Sequence, residues 1–417
     1  MPAIREALML QKTELEERFK QRYVKRDAKI REINSNLIKV IIGPRRAGKS
    51  FFAIHEIKAV GNFGYANFDD ETLAGAKDYN EIVAELDQIY SKPKFLLFDE
   101  IQNLPRWQLF VNRLQRQGYN LVVTGSNSNL LSSELATHLT GRHMPTSITP
   151  LSFRELVSSE GREMIDAEKR AKLAEYAISG GYPEPIIQGL DYKSYLSTLV
   201  DSVLYKDIVK RYRIRKPKAI EELASYLLSN VANAFSYDNL TKMTGIDSTH
   251  TAKKYVGYLE EAFIFFGVTR YSAKMREQLK SNRKIYCIDN GIVSAKAFKI
   301  LEERGRLYEN LVAIELWRRA SEGEMKFYYW KDPQSENEVD FVIREERSVT
   351  SLVQVCYDPS NTKTKSREVR ALLKASKELS CNNLLVLTDN YEGEEDAEWY
   401  GIRGRIKFVA IWRWLLG

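Results

Sequence analysis

Two short stretches carry residue types suited to a triphosphate. Gly43-Pro44-Arg45-Arg46-Ala47-Gly48-Lys49-Ser50 fits the spacing G-x-x-x-x-G-K-[ST] at every fixed position. Its glycines let the loop wrap an anion with the backbone N–H groups of Gly43, Arg45, Arg46, Ala47, Gly48, Lys49, Ser50 and the following Phe51, while Pro44 lines the loop without an N–H to give. Lys49 is expected to reach the β- and γ-phosphates, and the Ser50 hydroxyl to ligate Mg²⁺. The second stretch, "KFLLFDEIQ", ends an apolar run in Asp99-Glu100. Two adjacent carboxylates at a buried strand end repel each other unless a cation sits beside them. Asp99 is expected to hold Mg²⁺, usually through water, and Glu100 to orient and polarise an attacking water. A third polar strand end, "NLVVTGSN", offers Thr124, Ser126 and Asn127, and the spacing leaves open which of them meets the γ-phosphate or the water.

These residues need a scaffold that brings several strand ends together. From Leu37 to Pro150, short apolar runs ("LIKVII", "FGYANF", "KFLLFDE", "NLVVTGS", "MPTSIT") alternate with helical stretches. That alternation implies α/β architecture, a parallel sheet with helices on both faces. Residues 1–36 read as a charged amphipathic helix, 37–150 as the phosphate-binding core, and 151–190 as a helical lid closed by the glycine- and proline-rich "SGGYPEP". Residues 191–304 form a basic middle. Within it, "SYDNLTKMTGIDSTHTAKKYVGYLEEA" predicts a helix, a turn at Gly245 and a second helix capped near Ser248. Two β-rich runs follow, completing the outline of a winged helix. Residues 305–417 return to α/β alternation.

The chain has 417 residues, 44% apolar and 29% charged, which is globular and several domains long. No uncharged apolar run approaches the roughly 18–20 residues of a membrane helix, and "MPAIREALMLQK" is too charged for a secretory signal. The three cysteines lie far apart without zinc spacing, so a reducing cytoplasm is the expected setting. Net charge is +7 and uneven: residues 191–306 hold 21 Lys+Arg against 13 Asp+Glu, whereas the remainder holds 42 against 43. An anionic partner, nucleic acid first, would account for the asymmetry, and so would a solvated surface.

Together, "GPRRAGKS", "FDEIQ", "TGSNSNLLSSELATHLTGR", "PLSFRE" and "GGYPEP" make the chain resemble the prokaryotic AAA-type P-loop ATPases often called archaeal ATPases, which relate to the Cdc6/Orc initiator and STAND signalling ATPases. The resemblance spans Leu37 to about Pro185 and implies a sheet order 5-1-4-3-2, with ATP/ADP and Mg²⁺ as ligands. It also implies that Arg142 completes a neighbouring subunit's site in a homo-oligomer, a hexameric ring in expectation; otherwise Arg142 caps its own helix. Pro183 resembles the Gly-x-Pro element of STAND proteins, so that Tyr182 or Pro183 packs on adenine or ribose, unless the element is only a helix break.

In the basic middle, Ser248, Thr249, His250, Lys253 and Lys254 would face DNA from the second helix of the winged helix, whose inner face would be Tyr255, Leu259 and Ala262. Lys274, Arg276, Lys280, Arg283 and Lys284 are spaced like a wing touching the phosphate backbone, and "KRYRIRKPK" places six basic residues in nine. A protein-binding winged helix is the other reading.

The last block resembles the restriction-endonuclease-like PD-(D/E)XK domain. In active members an acid on the first helix, an Asp on the second strand and Glu-x-Lys on the third hold metal. Here these positions read Glu309, then Asp340 with Glu338 nearby, then Gln354-Val355-Cys356. An amide and a thiol replace the last carboxylate and the lysine, so the resemblance implies an inactive, structural or partner-binding module. Lys363 or Lys365 migrating into the site, or a reactive Cys356, are the remaining alternatives. The sequence therefore leads to a Mg²⁺-dependent ATPase acting on DNA, with a STAND-like nucleotide-gated protein switch as the rival.

Overall fold

The computed structural model describes residues 2–126, 141–297, 304–323 and 325–417. Residues 1–151 with 261–263 form one compact unit, and residues 152–260 with 264–417 a second.

The first unit is built on five strands: β1 (Ile38–Ile42), β2 (Phe63–Asn67), β3 (Phe95–Asp99), β4 (Asn120–Gly125) and β5 (His143–Ser147). All pair in parallel in the order β2-β3-β4-β1-β5, which is the expected 5-1-4-3-2. Strands β1, β3 and β4 are buried along their whole length, as continuous apolar runs between two helical layers must be. The helix Trp107–Arg116 turns Trp107, Phe110, Val111 and Leu114 inward at helical spacing. Asp78 caps the helix Tyr79–Ile89 by accepting from the Asn80 N–H.

The N-terminal segment departs from expectation. Its helix covers only Pro2–Arg18, and residues 19–37 continue without regular structure apart from turns. Ile4, Leu8, Gln11 and Leu15 form its buried stripe. Gln11 makes two bonds to Asn67, donating to its carbonyl at 3.1 Å and accepting its N–H at 2.9 Å. The side chain thereby satisfies the end of edge strand β2. Further on, the Tyr23 ring stacks on His55 at 4.0 Å.

The second unit opens with helices. Ser152 and Glu155 form a capping box for Phe153–Ser158; Asp166–Ser179, Pro183–Gln188 and Tyr192–Ser202 follow. A π-helical stretch, Val203–Val209, carries the chain to Arg213 in left-handed backbone (φ 50°), before the helix Pro217–Ser229. The predicted helix–turn–helix is present as Tyr237–Thr244, Gly245 at φ 63° and Thr249–Glu261, with Ser248 Oγ accepting the Thr251 N–H. Its inner face is Ala252, Val256 and Leu259; Tyr255, expected there, is only half-buried.

Strands β6 (Ala234–Phe235), β7 (Phe265–Thr269) and β8 (Arg283–Cys287) form a small antiparallel sheet in the order β6-β8-β7. The β7–β8 connection carries a short helix, Met275–Lys280, where an open wing was expected. The C-terminal part packs the helices Arg304–Glu322 and Thr362–Leu379 on a mixed six-stranded sheet, ordered β13-β14-β12-β11-β10-β9. These strands are β9 (Lys326–Lys331), β10 (Glu338–Glu345), β11 (Ser348–Val355), β12 (Leu384–Thr388), β13 (Gly393–Trp399) and β14 (Ile402–Ala410). Among the described residues, no helix is long and apolar enough to cross a membrane.

Candidate nucleotide-binding site

The loop Gly43–Gly48 joins β1 to the helix Lys49–Lys58, and its backbone has the shape that the motif requires. Gly43 has φ 148° and Gly48 φ 92°. A Cβ on Gly43 would lie 1.8 Å from the Ile148 carbonyl oxygen, so close packing against the chain beyond β5 also demands glycine there. Arg46 takes φ 64°. The helix starts without a side-chain cap, leaving the positive end of its dipole to an external anion. Lys49 is buried, 4% exposed, and its Nζ donates to the Pro44 carbonyl at 3.0 Å. A phosphate oxygen is a stronger, charged acceptor for the same ammonium.

Behind the loop, Ser50 Oγ donates to Asp99 Oδ1 at 2.8 Å. Thr124 Oγ1 also donates to Asp99 Oδ1 and accepts the Glu100 N–H at 3.0 Å. Tyr65 OH donates to Asp99 Oδ2 at 3.1 Å, with Arg18 Nη1 3.9 Å from that oxygen. Burial and the neighbouring Glu100 raise the Asp99 carboxyl, while bonds from Thr124 and Ser50 and the Arg18 charge pull it down. Glu100 itself turns into left-handed backbone at φ 50° and accepts the Gln102 amide. That conformation for a non-glycine residue costs about 1–3 kcal/mol, and it falls just where the strand ends at Asp99.

The donor set fits Mg²⁺ bound with a nucleotide: a hydroxyl and a carboxylate already in contact, with a lysine next to the serine in the chain. The structure thus brings together Gly43–Ser50, Asp99, Glu100 and Thr124. Ser126 lies at the end of the same strand, half-buried; Asn127 falls outside the described residues. Arg142 is exposed just before β5, and its carbonyl accepts the Ile38 N–H at 3.0 Å.

Sequence reasoning missed three supports of this site. Arg18 and Tyr65 hold the second oxygen of Asp99. Arg26, 5% exposed, donates to the carbonyls of Ala47 (2.9 Å) and Thr149, clamping the loop to the chain beyond β5. No local motif marks any of them.

The "GGYP" element lies in the second unit. Asp289 accepts the N–H groups of Gly181 (2.7 Å) and Gly291 (2.8 Å), and a Cβ on Gly180 would strike its carboxylate at 2.0 Å. Tyr182 is 3% exposed, and Pro183 begins the next helix at its first turn. Burial pushes Asp289 up to about 7.

The basic middle gathers residues distant in sequence. Tyr212 stacks on Tyr258 at 3.7 Å, and Lys216 pairs with Asp247 at 2.9 Å. These contacts lay the run Lys210–Lys218 against the helix Thr249–Glu261. Arg211, Arg213, Arg215, Thr249, His250, Lys253 and Lys254 are all exposed, as are Lys274, Arg276 and Lys280. Two wing assignments are corrected. Arg283 forms a bidentate pair with Glu260, at 3.2 Å for one nitrogen and a close contact for the other. Lys284 is 3% exposed and points among Glu309, Glu338 and Asp340. Alternation along β8 turns it inward, away from any outside ligand.

Around those acids, Gln354 Oε1 accepts the Asp340 N–H at 3.1 Å and its amide donates to Glu368 at 2.6 Å. Lys365 pairs with Glu395 at 2.6 Å, and Lys363 is exposed. Cys356 is buried, and burial pushes its thiol up to about 11, against a reactive thiolate.

Comparison with known proteins agrees with the geometry of the first unit. A family model described as an AAA domain matches residues 35–157. Two domains of unknown function, DUF8612 and DUF4143, match residues 170–301 and 304–404. The uncharacterized protein MJ1544 of Methanocaldococcus jannaschii is 34% identical over 416 residues, covering 95% of this chain and 92% of that protein. An uncharacterized protein of Haemophilus influenzae is 31% identical over 380 residues, covering 86% and 88%. Among solved structures, the Walker-type ATPase PABY2304 of Pyrococcus abyssi has a TM-score of 0.41 at 18% identity, covering 63% of this chain and 91% of that one. Cdc6p from Pyrobaculum aerophilum has a TM-score of 0.24 at 13% identity, covering 56% and 81%.

Proposed function

We propose that this chain, which carries an AAA domain and belongs to the same family as the uncharacterized M. jannaschii and H. influenzae proteins, is a Mg²⁺-dependent ATP hydrolase acting on DNA as a side-by-side homo-oligomer. The observation that carries the hydrolytic reading is the Ser50–Asp99 bond beside Lys49, with Glu100 next in chain. Ser50 and Asp99 would hold Mg²⁺, which would supply positive charge against the negative charge of the phosphates. Loop N–H groups and Lys49 hold the phosphates, Ser50 and Asp99 supply oxygen ligands, and Glu100 orients the attacking water. Thr124 fixes the spacing of the two acids through one hydroxyl. Arg142 acts on the neighbouring subunit's γ-phosphate.

The DNA reading is supported by the face that the Tyr212–Tyr258 stack assembles, where exposed arginines and lysines from two segments lie side by side. Phosphate contacts made by such a face weaken with salt, with a slope of about −0.9 per phosphate neutralised on duplex DNA. The test is ATPase rate with and without duplex across a salt series. Stimulation that fades steeply with salt supports the proposal; no stimulation and no retention on a DNA column at low salt overturns the DNA part and leaves the hydrolase.

A nucleotide-gated protein switch is the second reading. It is favoured by Asp289, which ties the Gly180–Gly181 turn to the chain just beyond β8, a joint that a conformational switch would use. Slow turnover without any response to DNA would select it.

A further inference from the structure

Among the described lysines, arginines, aspartates and glutamates of the basic middle, Lys284 and Asp289 are the most deeply buried, each 3% exposed, and the nucleotide and DNA readings leave Lys284 without a role. Its Nζ lies 3.0 Å from Glu309 Oε1, 2.6 Å from Glu338 Oε1 and 3.2 Å from Asp340 Oδ1. A lysine ammonium has three donors, and here they meet three carboxylates. The acids are held in turn. Tyr286 OH donates to Glu309 Oε1 at 2.8 Å, and the Val355 N–H to Asp340 Oδ2 at 3.0 Å. Lys331, which is partly exposed, lies 3.9 Å from Glu338 and closer, at 3.5 Å, to Glu336 outside the cluster. Burial alone would lower Lys284; Glu309, Tyr286, Asp340 and Glu338 outweigh it and keep the ammonium charged.

Backbone pairing fixes this placement. The Tyr271 N–H donates to the Tyr329 carbonyl at 2.7 Å, Arg270 and Tyr329 form a bridge, and Tyr329 OH donates to the Asn282 carbonyl at 2.7 Å. The β7–β8 hairpin is thereby bound to β9, and β8 feeds Lys284 into the acids of the C-terminal part. Carboxylate oxygens are the hard ligands that Mg²⁺ or Mn²⁺ takes, but these three are arranged around an ammonium, and among the described residues no group of acids is placed to hold a metal.

We propose that the Lys284 ammonium is the resident cation of a Glu309–Glu338–Asp340 site, that it excludes divalent metal, and that removing its charge opens a divalent-metal site there. The inference does not depend on the ATPase reading. The test is Mn²⁺ uptake by the full-length protein without nucleotide, followed by electron paramagnetic resonance, for wild type, Asp340→Asn, Lys284→Met and the double variant. Wild type and Asp340→Asn should give the same isotherm, because the cluster takes no metal. Lys284→Met should gain a single Mn²⁺ per chain, which the double variant loses. A wild-type Mn²⁺ site that Asp340→Asn removes would overturn the proposal, and so would a folded Lys284→Met whose uptake matches wild type. Melting curves give a second reading where Lys284→Met folds poorly. A melting temperature that rises with Mn²⁺ in this variant but not in the double variant supports the proposal, and an Mn²⁺-insensitive melt contradicts it.

Discussion

Ser50 and Asp99 lie 49 positions apart in sequence, yet the Ser50 hydroxyl donates to Asp99 Oδ1 at 2.8 Å. Parallel strands β1 and β3 flank β4 and release their chains at the same sheet edge, which is where open α/β sheets place ligands. With Mg²⁺ and nucleotide bound, the serine oxygen and the carboxylate would turn from each other to the ion. Ser50→Ala should therefore retain Mg²⁺-free nucleotide binding and lose the affinity that Mg²⁺ adds. Calorimetry with and without Mg²⁺ checks this; an unchanged Mg²⁺ increment removes Ser50 from the metal site.

Glu100 is expected to act on water rather than on nucleotide. Glu100→Gln should keep ATP affinity and lower turnover by about 10²–10⁴-fold, the usual contribution of a positioned general base. Parallel binding and steady-state assays separate the two effects, and turnover within a few-fold of wild type would assign the water to another group.

Thr124 is fully buried and bridges both acids through one oxygen. Thr124→Val keeps the shape and leaves the Glu100 N–H without its acceptor. Unfolding stability should fall by roughly 1–3 kcal/mol, the cost of a buried unsatisfied group, and turnover should fall with it. A denaturant titration showing no loss would mean that the bridge contributes nothing.

Arg142 is exposed, as a residue that serves a neighbour must be. Arg142→Ala should be inactive alone. Mixed with Lys49→Ala, itself inactive, it should recover partial activity, because an intact loop then faces an intact arginine. Normal turnover by Arg142→Ala would contradict a role in trans.

Asp289 gives a pH dependence of defined sign. Burial raises its carboxyl to about 7, from an ordinary value of 3.8. The folded chain then holds this proton more tightly than the unfolded chain, so its stabilisation is complete below the ordinary value and is lost as pH rises through about 7. Asp289→Asn should remove that part of the decline. Melting curves at about pH 5 and about pH 8 should differ less in this variant than in wild type; an equal difference would place the titration elsewhere.

The phosphate loop, the acidic pair and the helix–turn–helix were legible because each is written in contiguous residues with a fixed period or spacing, whereas the sheet order followed only from the resemblance to AAA-type ATPases. The supports of the site were not. Arg18, Arg26 and Tyr65 act across long stretches of chain, and nothing beside them in sequence sets them apart from other arginines and tyrosines. The N-terminal segment looked uniformly helical because its charge pattern continues past Arg18, whereas the helix ends at Arg18 and an irregular chain carries Arg26 to the Ala47 carbonyl. Lys284 misled for a related reason. In sequence it adjoins Arg283 and resembles a wing lysine, but strand alternation turns it into a cluster whose acids come from 25 to 56 positions away.

The direct test of the central claim is calorimetric titration of Mg·ATP and Mg·ADP into the full-length protein and into Lys49→Ala. Saturable uptake at one site per chain in the wild type, strongly weakened in Lys49→Ala, is the predicted result. Absence of uptake by folded wild-type protein in the presence of Mg²⁺ would contradict the account of the loop and its paired acids.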